Sequence, residues 1–136
     1  MNFVSKKIET VANDSYITSV QVVELMEKLA ARYVGKPISL VLDNARYQHC
    51  ALVITKAAEL GIELLFLPTY SPNLNLIERV WKFLKAAVLR AAYFETFPEY
   101  CKRISDFIDN IETQNSDKMA ELVTEKFQLF DRCKLA

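Results

Sequence analysis

The feature that most constrains the fold is a strand–helix–strand pattern in the middle of the chain. Two nearly continuous apolar runs, Ile38–Leu42 and Ile62–Phe66, are separated by a helical stretch over residues 50–60 that ends at Gly61. Runs of this kind are typical of strands that are buried on both faces of a sheet. Two such strands joined by a helix form a βαβ unit, which predicts parallel strands and a right-handed crossover.

Other elements are predicted on both sides of this unit. Residues 1–17 alternate apolar and polar side chains, as a β-hairpin does. The next helix should begin at Thr18, because Thr18 and Gln21 have the spacing of a capping box. Three helices are predicted in the C-terminal half. They are a long helix over about 76–93, a helix that begins at Thr96 with Pro98 in its first turn, and a short helix near 117–123.

These elements predict an α/β fold with a small mixed sheet flanked by helices. A length of 136 residues suits one domain with a core of its own. We therefore expect a single domain over residues 1–136. Its parts are a hairpin (1–17), a helix with the βαβ unit (18–66), and the acid-bearing helix with the C-terminal helices (67–136).

Composition excludes several classes of protein and indicates a cytoplasmic location. The 17 basic and 17 acidic residues balance, so the chain is not a globally basic nucleic-acid binder. No apolar run approaches the ~20 residues that would cross a bilayer, and the first residues show no signal-peptide pattern. The widely spaced cysteines Cys50, Cys101 and Cys133 suggest reduced thiols in a cytosol, buried at Cys50 and Cys101.

Two acids are candidates for chemistry. Asp43 is the first polar residue after a buried strand, and Glu78 lies in the first turn of the helix that follows the 67–75 loop. Ligands collect at the carboxyl ends of parallel strands, so both acids are expected near one edge of the sheet, where they could hold Mg²⁺. Alternatively, each acid serves only as a helix-capping or turn charge.

The helix after Glu78 offers two readings of its charges. Glu78, Lys82 and Lys85 share one face, so the lysines could meet the phosphates of a substrate whose metal the acid holds. The alternative is an ordinary surface pair between Glu78 and Lys82. Trp81 is expected in the core, and His49, the only histidine, is expected to be structural.

Two segments carry a family resemblance. Residues 42–49 (LDNARYQH) and 67–82 (LPTYSPNLNLIERVWK) resemble the catalytic core of DDE transposases, in particular the IS630 branch of the IS630/Tc1/mariner superfamily. The resemblance implies an RNase H-like fold, with Asp43 as the second catalytic aspartate and Glu78 as the third acid. It also implies Mg²⁺ or Mn²⁺ at these acids and transposon-end DNA as partner, positioned by Asn44, Lys82 and Lys85. The 34 intervening residues match the DD34E class.

The chain departs from this pattern at its front. The family's first aspartate lies on a strand upstream of the hairpin, whereas no aspartate here precedes Asp14, and the family's N-terminal helix-turn-helix region is also absent. We therefore expect a fold that is incomplete at the N-terminus, weak metal binding and little or no cleavage. Ile38–Leu42 would keep an open edge, which favours a homodimer or a shifted hairpin.

Three hypotheses follow. The first is a DDE transposase domain that cleaves and transfers DNA strands in its intact form. The second is a non-catalytic remnant that associates with itself or with a transposase. The third is a generic α/β domain whose acids are caps.

Overall fold

A computed structural model describes residues 1–69, 71–90 and 93–124. These residues form two compact units. One is continuous, Glu9–Asn75, and the other combines Met1–Ile8 with the chain from Leu76 onward.

The continuous unit contains the predicted βαβ motif. Its elements in chain order are helix α1 (Ser19–Arg32), strand β1 (Ile38–Leu42), a 3₁₀ turn (Arg46–His49), helix α2 (Ala51–Leu60), strand β2 (Ile62–Phe66) and a second 3₁₀ turn (Pro72–Leu74). The two strands are parallel, and their register runs from Ile38 opposite Ile62 to Leu42 opposite Phe66. Parallel pairing across a helical connection is therefore confirmed. The mixed helix–strand architecture, with a small sheet flanked by helices, is confirmed as well.

Local sequence signals account for the ends of these helices. The Thr18 hydroxyl accepts a hydrogen bond from the Val20 N–H (3.3 Å), and the Gln21 side chain accepts one from the Thr18 N–H (2.8 Å). This reciprocal pair is the predicted capping box. Helix α2 ends at Gly61, whose φ of 65° is the left-handed conformation that glycine adopts without steric cost.

The core of this unit lies on one face of the sheet. Met26 of α1 and Val53 of α2 are fully buried, and Ile38, Leu40 and Leu64 pack against the same cluster. The prediction that both strands are buried on both faces is wrong. Exposed and covered side chains alternate along each strand, because α1 and α2 pack on the same face.

The open face carries an apolar pair in register. Val41 keeps 50% and Leu65 keeps 44% of its surface exposed, and the two residues lie opposite each other. Beside them, the Ser39 hydroxyl donates a hydrogen bond to the Glu63 carboxylate.

The second unit is helical. Its elements are helix α3 (Leu76–Leu84), a π-helical turn (Lys85–Leu89), helix α4 (Phe97–Gln114) and helix α5 (Ser116–Leu122). The predicted cap at Thr96 is confirmed, and Pro98 lies in the first turn of α4. A buried cluster holds these helices together, and Met1 and Ile8 pack against it. The cluster comprises Val80, Ile111, Met119 and Val123.

The hairpin predicted for residues 1–17 does not form, because those residues contain no strand. Asn2 instead closes a turn: its N–H donates to the Lys7 carbonyl (2.8 Å), and its side-chain oxygen accepts from the Val4 N–H. Ile8 packs against the helical cluster, and the buried Glu9 carboxylate pairs with Arg32. Ile8 and Glu9, which the alternating pattern assigned to the hairpin, are therefore engaged by residues outside the 1–17 segment. The sheet of the described residues is therefore wholly parallel rather than mixed.

Two further expectations concern the burial of the cysteines and membrane-spanning helices. Cys50 is half-buried, whereas Cys101 is exposed, so the prediction of a buried Cys101 is wrong; Cys133 lies outside the described residues. Across the parts of the chain that the structure describes, none of the helices combines the length and the apolar character needed to traverse a bilayer.

Candidate active site

Asp43 stands at the carboxyl end of β1, as the sequence predicts. The Leu67 N–H donates to the Leu42 carbonyl (2.8 Å), so the parallel pairing continues to the last residue before Asp43. The loops that follow β1 and β2 therefore leave the sheet side by side. Asp43 itself is exposed to solvent, in the position where parallel sheets commonly place ligand-binding groups.

A buried glutamine holds the Asp43 carboxylate. Gln48 keeps only 7% of its surface exposed. Its amide nitrogen donates to Asp43 Oδ1 (2.8 Å), and its amide oxygen accepts from the Ala45 N–H (3.0 Å). One side chain therefore ties the carboxylate to the backbone of the following turn. Because only Oδ1 is engaged by this contact, Oδ2 remains the oxygen on which a further ligand could act.

Asn44 and His49 brace the same loop. Asn44 has a positive φ of 71°, a conformation that asparagine tolerates better than most residues. Its side-chain oxygen hydrogen-bonds with His49 Nε2, and the His49 ring stacks on Phe66 with centroids 4.0 Å apart. The histidine thus fastens the loop after β1 to the end of β2. The contact of Asn44 with DNA remains a prediction.

Glu78 lies in the first turn of α3 and is half-buried. In the part of the chain that the structure describes, its carboxylate forms neither a hydrogen bond nor an ion pair. The alternative of a surface pair between Glu78 and Lys82 is therefore not realised. Asp43 and Glu78 belong to different units, so their convergence remains a prediction.

The lysines of this helix are exposed. Lys85 Nζ lies 5.2 Å from the centre of the Trp81 ring, within the range of a cation–π contact. Trp81 keeps 40% of its surface exposed, so its predicted place in the core is wrong. The packing side of the helix is instead formed by Val80, Leu84 and Val88, all of which are buried.

Comparison with known families identifies the superfamily of the chain. A profile described as "DDE superfamily endonuclease" matches residues 4–101, which include Asp43 and Glu78. The chain belongs to the DDE superfamily endonucleases. Neither a curated protein nor a solved structure matches it.

DDE endonucleases generally use a divalent metal, and such an ion is bound by oxygen ligands. Carboxylate oxygens are suitable ligands for a hard cation, and Asp43 offers one at the sheet edge. Within the described ranges, however, no three His, Cys, Asp or Glu side chains come together. A metal site that combines Asp43 with Glu78 of the other unit remains a prediction.

Two features of the site are not predicted by the sequence reasoning. The bond between Gln48 and Asp43 was missed. Arg90 was also missed, and it lines a surface groove together with Lys82 and Lys85. A regular helical wheel would not have found Arg90, because an α-helix turns it about 140° away from Lys85, and the π-helical turn Lys85–Leu89 changes that phase.

Proposed function

We propose that this DDE endonuclease chain functions in DNA transposition, as a member of the IS630 branch with an RNase H-like fold. The observation that carries the proposal is the Asp43 carboxylate, held by Gln48 at the carboxyl end of a parallel strand in a chain that matches the DDE profile. The buried Gln48 amide needs a hydrogen-bond acceptor, and the carboxylate that accepts from it is thereby fixed in direction at the sheet edge.

The proposed roles follow the chemistry of the side chains. Asp43 and Glu78 are the catalytic acids and the metal ligands, with Mg²⁺ or Mn²⁺ as the ion. Asn44, Lys82 and Lys85 position DNA. The exposed lysines support this assignment, because phosphate contacts fix the register of DNA on a protein.

We further propose that these 136 residues bind the metal weakly and cleave little DNA by themselves. The support is that two residues of the sequence, Asp43 and Glu78, match the acids of the resembled family, whose first aspartate has no counterpart before Asp14. Two close carboxylates with too little cation to offset their repulsion favour protonation over metal binding.

Manganese binding tests the site. Free Mn²⁺ is measured by electron paramagnetic resonance in titrations of the wild type, Asp43→Asn, Glu78→Gln and a control, Asp117→Asn, on the exposed surface of α5. Weak binding that is lost in the first two variants and kept in the control is expected. Equal binding by all four proteins would overturn the assignment of both acids.

Plasmid nicking tests the activity. Supercoiled DNA incubated with the chain and Mn²⁺ should be nicked no faster than with Asp43→Ala. Robust nicking that disappears in Asp43→Ala would overturn the proposed inactivity while supporting the catalytic assignment of Asp43.

A specific observation also favours the alternative role of a non-catalytic module that pairs with itself or with a transposase. In the described residues, β1 is paired along one edge only, and Val41 and Leu65 are exposed beside each other. Open apolar strands of this kind invite pairing with another chain. We propose a homodimer through this edge. Light scattering should give twice the mass of one chain, and Leu40–Leu42 amides should exchange slowly; a monomer with fast exchange would refute it.

The free thiols support a cytoplasmic location. Cys50 and Cys101 form no disulfide in the described structure, as is usual in a reducing compartment. Fractionation of the producing cells should place the chain with cytoplasmic markers. Recovery with an oxidised Cys50 in an extracytoplasmic fraction would contradict this.

A further inference from the structure

A groove with three cationic side chains runs along the helix that follows Glu78. It has a volume of about 550 Å³ and is wide open to solvent. Lys82, Lys85 and Arg90 supply the charge, and Ala86 and Leu89 supply the apolar part of the wall. Among the described residues, no acidic side chain lines the groove, although the chain as a whole has no net charge.

The three cations are available to a partner. All three residues are exposed, and none forms an ion pair with another described residue. Lysines elsewhere behave differently: Lys118 lies 2.8 Å from Glu121, and Lys56 lies 2.9 Å from Glu59. Three like charges on one wall repel one another, and an anion in the groove would relieve that repulsion.

The spacing of the cations suits a chain of phosphates. Lys82 and Arg90 are eight residues apart, which corresponds to about 12 Å along a helix axis. One DNA strand advances about 3.4 Å per phosphate, so the groove spans about three to four phosphates. The π-helical turn Lys85–Leu89 lies within this span, and such turns are rare and frequently occur at functional sites.

We propose that this groove binds the sugar–phosphate backbone of duplex DNA, with Arg90 as a third phosphate-contacting residue beside Lys82 and Lys85. The proposal rests on the proposed function, since it names where on the chain that DNA lies. The groove is open to solvent, which favours a continuous strand over a small anion, because a small anion needs an enclosing pocket. Contacts of this type carry no base specificity, so binding here is independent of sequence.

Fluorescence anisotropy with a labelled duplex of arbitrary sequence tests the proposal over about 50 to 200 mM salt. The test variant is Lys82→Ala/Lys85→Ala/Arg90→Ala. The matched control, Lys36→Ala/Lys102→Ala/Arg103→Ala, removes three other exposed cations and changes the net charge equally. Circular dichroism melts verify folding. The single variant Arg90→Gln provides a second measurement should the triple variant be unstable.

The expected results are quantitative. The groove variant should bind at least about tenfold more weakly at low salt, and its slope of log affinity against log salt should fall by about 2 to 3. Arg90→Gln alone should lower the slope by about 1. The control should stay within about twofold of the wild type, since its charges act only through weak long-range attraction.

Three outcomes would overturn the proposal, and they separate it from the proposed function. If the wild type and the groove variant bind equally well, DNA binding stands but the groove is not its site. If the wild type binds no duplex at any salt concentration, the proposed DNA function of the chain fails together with the groove. Equal losses in the groove variant and the control would also exclude a defined site, leaving only general charge attraction.

Discussion

The Gln48 amide nitrogen lies 2.8 Å from Asp43 Oδ1, and this contact joins the only buried glutamine among the described residues to the acid at the end of β1. The Gln48 side chain is held at both ends of its amide, because its oxygen accepts a hydrogen bond from the Ala45 N–H. The direction of the carboxylate is therefore set by the fold of the loop rather than by a ligand. Such prior orientation is what a site for charged substrates requires.

Replacement of Gln48 should destabilise the protein. Gln48→Leu removes both hydrogen bonds and leaves the Ala45 N–H without its acceptor, so the free energy of unfolding should fall by about 1–3 kcal/mol. Urea denaturation measures the change. Gln114→Leu, at the exposed end of α4, is the matched control and should have little effect. Equal stability of the two variants would contradict a structural bond at Gln48.

The packing of α1 should depend on one of its faces. Met26 is fully buried between α1 and its neighbours, so Met26→Ala should lower the free energy of unfolding by about 2–5 kcal/mol. Val20 lies on the same helix but is 58% exposed, and Val20→Ala should change stability by less than about 0.5 kcal/mol. Thermal and urea melts compare them. Similar losses in both variants would show that α1 packs by another face.

The end of α2 should require glycine for its backbone conformation alone. A Cβ at Gly61 would meet no atom within 4 Å, yet φ there is 65°. Gly61→Ala should therefore cost about 1–2 kcal/mol through left-handed strain, and Gly61→Asn should cost less. Urea denaturation of both variants measures this order. Alanine as stable as glycine would mean that α2 ends differently in solution.

The Cys50 thiol should be reactive at lower pH than an ordinary thiol. The Val53 N–H at the start of α2 lowers the pKa of Cys50 most, and the Ser19 side chain lowers it further, while burial acts in the opposite direction. A lower pKa leaves more thiolate at a given pH, so alkylation should reach its half-maximal rate at lower pH than N-acetylcysteine does. Mass spectrometry of iodoacetamide-treated protein measures the rate.

Two variants check that assignment. Ser19→Ala should move the alkylation profile of Cys50 part of the way toward higher pH, because one stabilising hydrogen bond to the thiolate is removed. Val20→Ala, at the next position, should leave the profile unchanged. A Cys50 profile that coincides with N-acetylcysteine in the unmodified protein would contradict the lowered pKa.

Short sequence signals predicted the helix ends that depend only on neighbouring residues. The capping box at Thr18, the stop at Gly61 and the cap at Thr96 each depend on residues within one turn, and all are confirmed. The prediction of a hairpin over residues 1–17 was wrong because residues distant in the sequence determine the conformation of that segment. Ile8 packs on helices far along the chain, and Glu9 pairs with Arg32. Alternation alone carries no information about such partners.

In the candidate site, too, features that depend on neighbouring residues were predicted, and features that depend on the packing of a loop or helix were not. Asp43 at a strand end follows from counting along the sequence, and Glu78 in the first turn of α3 does as well. Which side chain holds Asp43 depends on how the 3₁₀ turn Arg46–His49 folds back, and that turn lacks a clear sequence signature. The exposure of Trp81 could not be predicted either, because the sequence does not show how much of the apolar face of α3 its neighbours cover.

The first eight residues have a consequence for how the chain is made. Met1 and Ile8 pack against Val80, Ile111 and Met119, and the Lys6 ammonium donates to the Val123 carbonyl (3.1 Å). A ribosome therefore completes Glu9–Asn75 before it makes any of the helices on which this segment docks. Residues 1–8 are thus synthesised before the helices on which they dock, and they are among the last to find their place.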